Sequence, residues 1–234
     1  MCGRFTLNQS VKALAKIFDV QQLPDLAAEY NIAPTQKVAT VLQNPESRKR
    51  EFQQLYWGLI PSWAKDPGIG AKLINARAET VAEKPAFRSA FKHRRCLVLA
   101  DGFYEWQRQQ GGKKQPFYFR LQDGQTFAFA GLWERWRCLR QPEAGTTANE
   151  EIISCTILTT AANELLQPIH ERMPVILEPQ DYDLWLDSQV QTPQTLQQLL
   201  RPYPAPAMTA YPVSTLVNNS RHNSPECIIP ISGD

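Results

Sequence analysis

The sequence predicts an α+β fold: a single domain with a curved, barrel-like, mainly antiparallel sheet and peripheral helices. Three observations predict it. The second half carries five segments rich in β-branched and aromatic residues, separated by short glycine turns. The amphipathic helical stretches are few, short and peripheral to the strands. No internal repeat or linker divides the 234 residues, a length that can bury a sizeable core without covalent staples.

The elements follow in order. Ser10 is placed to cap a helix over residues 11–19, with Val11, Leu14, Ile17 and Phe18 on one face. A proline-punctuated loop through Tyr30-Asn31-Ile32-Ala33-Pro34 comes next. Residues 37–43 read as a strand, 44–50 as a turn and 51–59 as the hairpin partner. Ile60-Pro61-Ser62-Trp63 leaves the sheet, and Asp66-Pro67-Gly68 marks a loop. Around 84–93 a short amphipathic helix is expected, with Pro85 near its first turn and Phe87 and Phe91 four residues apart.

Strands are expected at 96–100, 103–108, 116–122, 126–133 and 152–159. Gly111-Gly112 and Asp123-Gly124 mark turns between them, and 138–151 reads as a polar insertion. A short helix at 161–166, a strand at 174–177 and helices at 181–186 and 192–200 follow. The proline-rich 202–206 segment precedes a last strand at 208–212.

Composition narrows the function classes. At 43% hydrophobic and 21% charged residues, with no apolar run of membrane-spanning length, the chain reads as a soluble globular protein with no membrane partner. No hydrophobic signal segment follows Met1-Cys2-Gly3-Arg4-Phe5, so the expected place is the cytoplasm. The five cysteines are scattered without a C-x-x-C, and His93, His170 and His222 form no close ligand pair. No metal, disulfide framework or organic cofactor is therefore expected, and most cysteines read as small core residues.

The net charge of +2 does not by itself mark a nucleic-acid binder. Arg48-Lys49-Arg50 and Lys113-Lys114 read as solvated loops. Lys92-His93-Arg94-Arg95 adjoins a strand and is the better candidate for a phosphate-facing edge.

Cys2 stands apart. Methionine aminopeptidases remove Met1 when a small residue follows, which would leave Cys2 with a free α-amine beside its thiol. An α-amine of ordinary pKa near 8 is partly uncharged at neutral pH, and adds to an aldehyde to give an imine. The thiol on the same residue can then close a five-membered thiazolidine, an intramolecular step with a large effective concentration. Read alone, Cys2 is more simply a cysteine by accident at a frayed end.

Six motifs occur in order with it: Met1-Cys2-Gly3-Arg4-Phe5, Asn31-Ile32-Ala33-Pro34-Thr35-Gln36, Trp57-Gly58-Leu59-Ile60-Pro61-Ser62-Trp63, Asn75-Ala76-Arg77-Ala78-Glu79-Thr80, Ala100-Asp101-Gly102-Phe103-Tyr104-Glu105-Trp106 and Ile169-His170-Glu171-Arg172-Met173-Pro174. Together they resemble the SOS-response-associated peptidase (SRAP) family, sensors and shields of abasic sites in DNA, over nearly the whole chain to Val217-Asn218-Asn219. Two departures stand out: Ala100 where many relatives have proline, and the longer 138–151 stretch.

The resemblance implies that Cys2 is the nucleophile that crosslinks to an abasic site, with Glu105 and His170 as its acid–base groups. It implies that Asn75 holds the sugar and the N-terminus, that Arg77 contacts phosphate, and that Arg4 and Thr159 lie near the site. The residue types suit those roles. A carboxylate at Glu105, wedged between Tyr104 and Trp106, is open to desolvation and an upward pKa shift, which fits a proton shuttle. Histidine is the side chain that changes charge near neutrality, fitting protonation of the opened sugar oxygen or reversal. Asn75 can donate and accept, and Arg77 offers a fork for phosphate oxygens. Trp63 offers a face for a base beside the lesion, whereas Trp57, within a strand, reads as core. Taken singly, each has an ordinary reading: a surface carboxylate, a structural histidine, a self-satisfied polar loop.

The implied function is sensing and processing of abasic sites through a thiazolidine DNA–protein crosslink at Cys2. The substrate would be single-stranded DNA, with the crosslink shielding the strand during the damage response. A lyase side reaction and self-removal of Met1 accompany it, in a monomer that associates with the nucleoid when bound to DNA. A non-catalytic reader of damaged DNA and a thiol peptidase acting on proteins are the competing readings.

Overall fold

A computed structural model of the chain describes residues 2–137 and 151–231. In chain order it holds β1 (Phe5–Leu7), α1 (Val11–Phe18), β2 (Glu29–Ile32), β3 (Lys37–Gln43), β4 (Arg50–Trp57), β5 (Asn75–Arg77), α2 (Arg88–His93), β6 (Arg95–Ala100) and β7 (Gly102–Arg108). These are followed by β8 (Lys114–Leu121), β9 (Phe127–Arg137), β10 (Glu151–Ala161), β11 (Arg172–Pro174), β12 (Ile176–Leu177), α3 (Tyr182–Leu186), α4 (Pro193–Gln197) and β13 (Met208–Pro212).

Five strands close on themselves. β4 pairs with β3, β3 with β6, β6 with β9 and β9 with β10, all antiparallel, and β10 returns to β4 in parallel. Closure removes the edges of this sheet and buries every residue of β6. Val41, Leu97, Phe129, Leu132 and Ile157 have no exposed surface. A second antiparallel sheet runs in the order β13-β8-β7-β1-β2. β5 adds in parallel to β10, and β11 pairs antiparallel with β10. The α+β class and the barrel-like sheet are those the sequence predicts. No helix among the described residues is long and apolar enough to cross a membrane.

Ser10 caps α1 by accepting the Ala13 N–H at 3.3 Å, and Asp19 ends it in the left-handed region at φ 51°. Leu14 and Phe18 are buried there, whereas Ile17 is 37% exposed. Phe87 and Phe91 are both buried, but α2 covers only Arg88–His93, and hydrogen-bonded turns lead into it.

Several expectations need correction. Residues 29–32, read as part of a loop, form β2, because Ile32 and Glu29 pair with Phe5 and Leu7. Residues 161–166 form no helix. Ala161 still belongs to β10, and the Asn163 side chain takes the Leu166 N–H at 3.0 Å, favouring a chain of turns. The strand expected at 174–177 splits at Val175, whose N–H reaches Leu158 on β10 and whose carbonyl accepts from Ala130 on β9. Of the polar insertion expected at 138–151, residues 138–150 lie outside the described residues, and Glu151 opens β10.

The largest correction concerns Lys92-His93-Arg94-Arg95, expected to face phosphate. Arg95 is 3% exposed. Its guanidinium donates to the carbonyls of Trp185 (2.5 Å), Phe91 (2.8 Å), Lys92 (2.7 Å), Asp187 (2.5 Å) and Val190 (3.0 Å). It ties the end of α2 and the region after α3 to the barrel wall. Arg94 is paired with Glu134 at 2.7 Å.

Candidate active site

The site begins with the register of β1 against β7. Phe5 lies opposite Phe103 and Thr6 opposite Gly102, and the Tyr104 N–H donates to the Arg4 carbonyl at 2.9 Å. Continued toward the N-terminus, this register sets Gly3 opposite Glu105 and Cys2 one residue beyond it. A buried network holds it. Asp101 accepts from Thr6 Oγ1 and from the Asn8 N–H, both at 2.5 Å, and Thr6 Oγ1 also meets the Tyr118 hydroxyl at 2.9 Å. Burial raises the Asp101 carboxyl above its ordinary value, while its hydrogen bonds from Thr6, Asn8 and Gln9 act against the rise. Glycine is required at 102, since a Cβ there would lie 2.1 Å from the Tyr118 hydroxyl oxygen.

Cys2 has no exposed surface. Its carbonyl accepts from Asn75 Nδ2 at 2.8 Å, which joins the chain start to β5. Burial first, and the negative charge of Glu105 second, push its thiol far above the usual cysteine range. The site therefore favours the thiol over the thiolate at Cys2. Glu105 is 3% exposed, and burial raises its carboxyl while nearby positive charge, including that of His170, opposes the rise. The upward direction is the one expected, but Tyr104 and Trp106 share the other face of β7, their rings 6.4 Å apart, and do not wedge the carboxylate.

His170 follows the turns after β10. Its Nδ1 lies 3.0 Å from the Arg172 N–H and 3.2 Å from the Arg172 carbonyl. Nδ1 accepts the Arg172 N–H, which fixes the orientation of the ring beside β11.

β5 and β10 bring the remaining groups together. Asn75 pairs with Ile157 and Arg77 with Thr159 in their parallel ladder. Asn75 and Arg77 share a face, Asn75 toward Cys2 and Arg77 exposed on the rim. Asn75 Oδ1 is buried and has no hydrogen-bond partner among the described residues. Thr159 is buried, and Arg172 donates to its carbonyl at 2.6 Å and its hydroxyl at 3.3 Å. Arg172 also grips Glu79 with two bonds of 2.6 and 3.0 Å, which hold the Glu79 carboxyl below its ordinary value.

The chain matches the family described as SOS response associated peptidase (SRAP) over residues 1–220. It belongs to the SRAP family. Among its SRAP-like relatives, abasic site processing protein YoqW of Bacillus subtilis (strain 168) is 44% identical over 231 residues, covering 97% of this chain and 99% of that one. Abasic site processing protein HMCES of Xenopus tropicalis is 36% identical over 231 residues, 86% of this chain and 66% of the relative. A crystal structure of a protein from Bacteroides thetaiotaomicron is similar at TM-score 0.85 and 26% identity, covering 99% and 100% of the two chains.

Within this SRAP chain, Cys2, Asn75, Glu105 and His170 are linked by hydrogen bonds or electrostatic influence, with Thr159 and Arg77 in the adjoining ladder. Arg4, expected near the site as a substrate-binding residue, is part-buried just before β1. It donates to Asn31 Oδ1 at 2.7 Å and to the Val217 carbonyl at 2.8 Å, and its guanidinium lies 5.9 Å from the Trp106 ring centre. Trp63 is 61% exposed on the segment leaving β4, whereas Trp57 is fully buried.

Three supporting groups escaped sequence reasoning. Asn31 ties Arg4 to the carbonyls of Val217, Asn219 and His222 at 3.2, 3.1 and 2.6 Å. Asn218 Oδ1 accepts from Trp106 Nε1 at 2.7 Å, bracing the strand that carries Glu105. Arg172 braces His170. Their only sequence signal is their place in motifs whose polar residues do not all need to touch substrate.

Proposed function

We propose that this protein captures abasic sites in single-stranded DNA by forming a covalent thiazolidine crosslink at Cys2. The observation that carries this reading is the placement of Cys2: wholly buried, held at its carbonyl by Asn75 and under the field of Glu105. The names of the YoqW and HMCES relatives support the substrate class.

Removal of Met1 frees the Cys2 α-amine. Its nitrogen adds to C1 of the ring-opened deoxyribose aldehyde, and the carbinolamine loses one water to give an imine. Sγ then adds to the same carbon, and the thiol proton passes to nitrogen; overall, one water leaves and no oxidant is needed. Glu105 takes the amine proton and returns it to the departing hydroxyl. His170 serves the sugar oxygen as the ring opens or closes. A buried, protonated thiol suits this order, with the amine first and sulfur second, better than it suits a thiol peptidase, which needs a thiolate. Elimination from the imine before ring closure would give a lyase side product. Arg77 on the rim and the exposed face of Trp63 offer a phosphate contact and a stacking surface for the flanking strand.

The test is single-stranded DNA with one abasic site, run on a denaturing gel beside Cys2→Ala. A shifted band that survives denaturation in wild type and vanishes in the variant is expected. Intact binding with no such band favours a non-catalytic reader, and Cys2-dependent cleavage of unrelated peptides favours a peptidase.

Asn75→Ala leaves the Cys2 carbonyl without its donor and removes the buried Oδ1. The crosslinking rate should fall roughly 5- to 10-fold, the equivalent of one hydrogen bond. Single-turnover kinetics check this, and an unchanged rate would remove Asn75 from the site.

A further inference from the structure

We propose that the tip of the β7–β8 hairpin is a docking surface for the phosphate backbone of the DNA strand flanking the captured sugar, an inference that rests on the proposed capture at Cys2.

The three basic clusters of the sequence meet different fates in the fold. Arg48 and Arg50 are paired with Asp187 at 2.9 Å and Asp183 at 2.6 Å. Arg95 is buried among carbonyls, and Arg94 is paired with Glu134. Arg108, Lys113 and Lys114 are all exposed, and none forms a salt bridge among the described residues. No Asp or Glu occurs from Trp106 through Gln122, although the chain as a whole is nearly balanced at 25 basic and 23 acidic residues. Lys49 and Lys92 of the other two clusters are exposed as well, but only Arg108, Lys113 and Lys114 form a local basic patch with no acidic residue beside it in sequence.

Its position connects that charge to the site. β7 carries Glu105, and Arg108 follows three residues later, about 10 Å along the strand at roughly 3.3 Å per residue but on the Tyr104 and Trp106 face, so the DNA strand must pass around the hairpin end to reach it. Arg108 lies opposite Lys114 in the ladder with β8. Gln107, between Glu105 and the tip, reaches toward the Pro168 carbonyl at 3.4 Å in the turns that lead to His170. Gly111 and Gly112 turn the chain at φ 80° and 79°, and a Cβ on either would meet no atom within 4 Å, so the tip stands clear of the body. A strand whose sugar lies at Cys2 would bring a phosphate roughly two or three nucleotides away to this tip, given a rise of about 3.4 Å per nucleotide in a stacked strand. Exposed cations without a salt bridge on a projecting hairpin suit a repeating anionic backbone and carry no base preference.

The test uses a single-stranded 20-mer with a central tetrahydrofuran, an abasic analogue without an aldehyde, so that binding is read apart from bond formation. Affinity is measured against salt for wild type and for the triple variant Arg108→Gln, Lys113→Gln, Lys114→Gln. Loss of three phosphate contacts should make the slope of log K against log salt shallower by about 2 and weaken binding at least tenfold near 0.1 M salt. Trimming the oligonucleotide close to the lesion on one side should erase the difference between the two proteins. The crosslink yield on aldehyde-containing DNA at saturation should stay unchanged in the variant, as should its thermal midpoint. Equal slopes and affinities for the two proteins overturn the proposal, as does a difference that survives trimming on either side. If wild type forms no crosslink yet the variant loses the salt slope, the capture reading falls and the binding surface stands.

Discussion

Glu105→Gln is expected to slow crosslink formation by about 100-fold or more while raising the thermal midpoint of the protein. The rate effect follows from proton transfer: an amide of the same shape can neither take the amine proton nor return it to the leaving hydroxyl, and such positioned groups contribute roughly 10²- to 10⁴-fold. The stability effect follows from burial. The Glu105 carboxyl is raised above its ordinary value of 4.5, so the fold favours its protonated form. That favourable contribution is fully present below 4.5 and is lost as pH rises through the folded value, where a charge must be held in a site that is 3% exposed. The glutamine variant's advantage over wild type should therefore grow as pH rises above 4.5 and then level off. Thermal unfolding across pH, paired with single-turnover crosslinking, checks both halves. A variant that crosslinks at the wild-type rate contradicts the shuttle role, and one that is less stable than wild type at every pH contradicts the account of its burial.

The second large effect is structural. Arg95→Ala removes a guanidinium that donates to five carbonyls and leaves those of Trp185, Phe91 and Asp187 without that donor in the interior. Breaking a buried charged network of this kind costs about 3–5 kcal/mol. For a chain of this size each kcal/mol moves the midpoint by roughly 2–4 °C, so a fall on the order of 10 °C is expected. Calorimetry measures it. Crosslinking at low temperature, where the variant remains folded, should stay near the wild-type level, because no bond of Arg95 reaches Cys2, Asn75, Glu105 or His170. A variant that keeps its midpoint but loses DNA binding would restore Arg95 to the phosphate-facing edge that its sequence neighbourhood suggests.

Arg95 also shows where sequence reading stops. A run of Lys, His and Arg beside a strand looks solvated in one dimension, and only the return of the chain after α3 surrounds it with carbonyls. The long strands were legible because their composition and alternation are local properties, as in Lys37–Gln43 and Met208–Pro212. β1 and β5 were not, since three residues carry no period and each exists by pairing with a strand distant in sequence. The site divides in the same way. Cys2 offered chemistry by its position, whereas Asn75, Glu105 and His170 are ordinary residue types that stood out only as members of an ordered set of motifs. Asn31, Arg172 and Asn218 were invisible because their work is to hold another side chain or strand.

The central claim is that Cys2 acts with its amine and its sulfur together. Mass spectrometry of the adduct between the protein and an abasic single strand, denatured and treated with a thiol-alkylating reagent, tests it most directly. An adduct is expected only on chains that have lost Met1, mapped to Cys2, with the Cys2 sulfur resistant to alkylation because it is bonded to the sugar carbon. An adduct on chains that retain Met1, or one whose Cys2 thiol is freely alkylated, would contradict it.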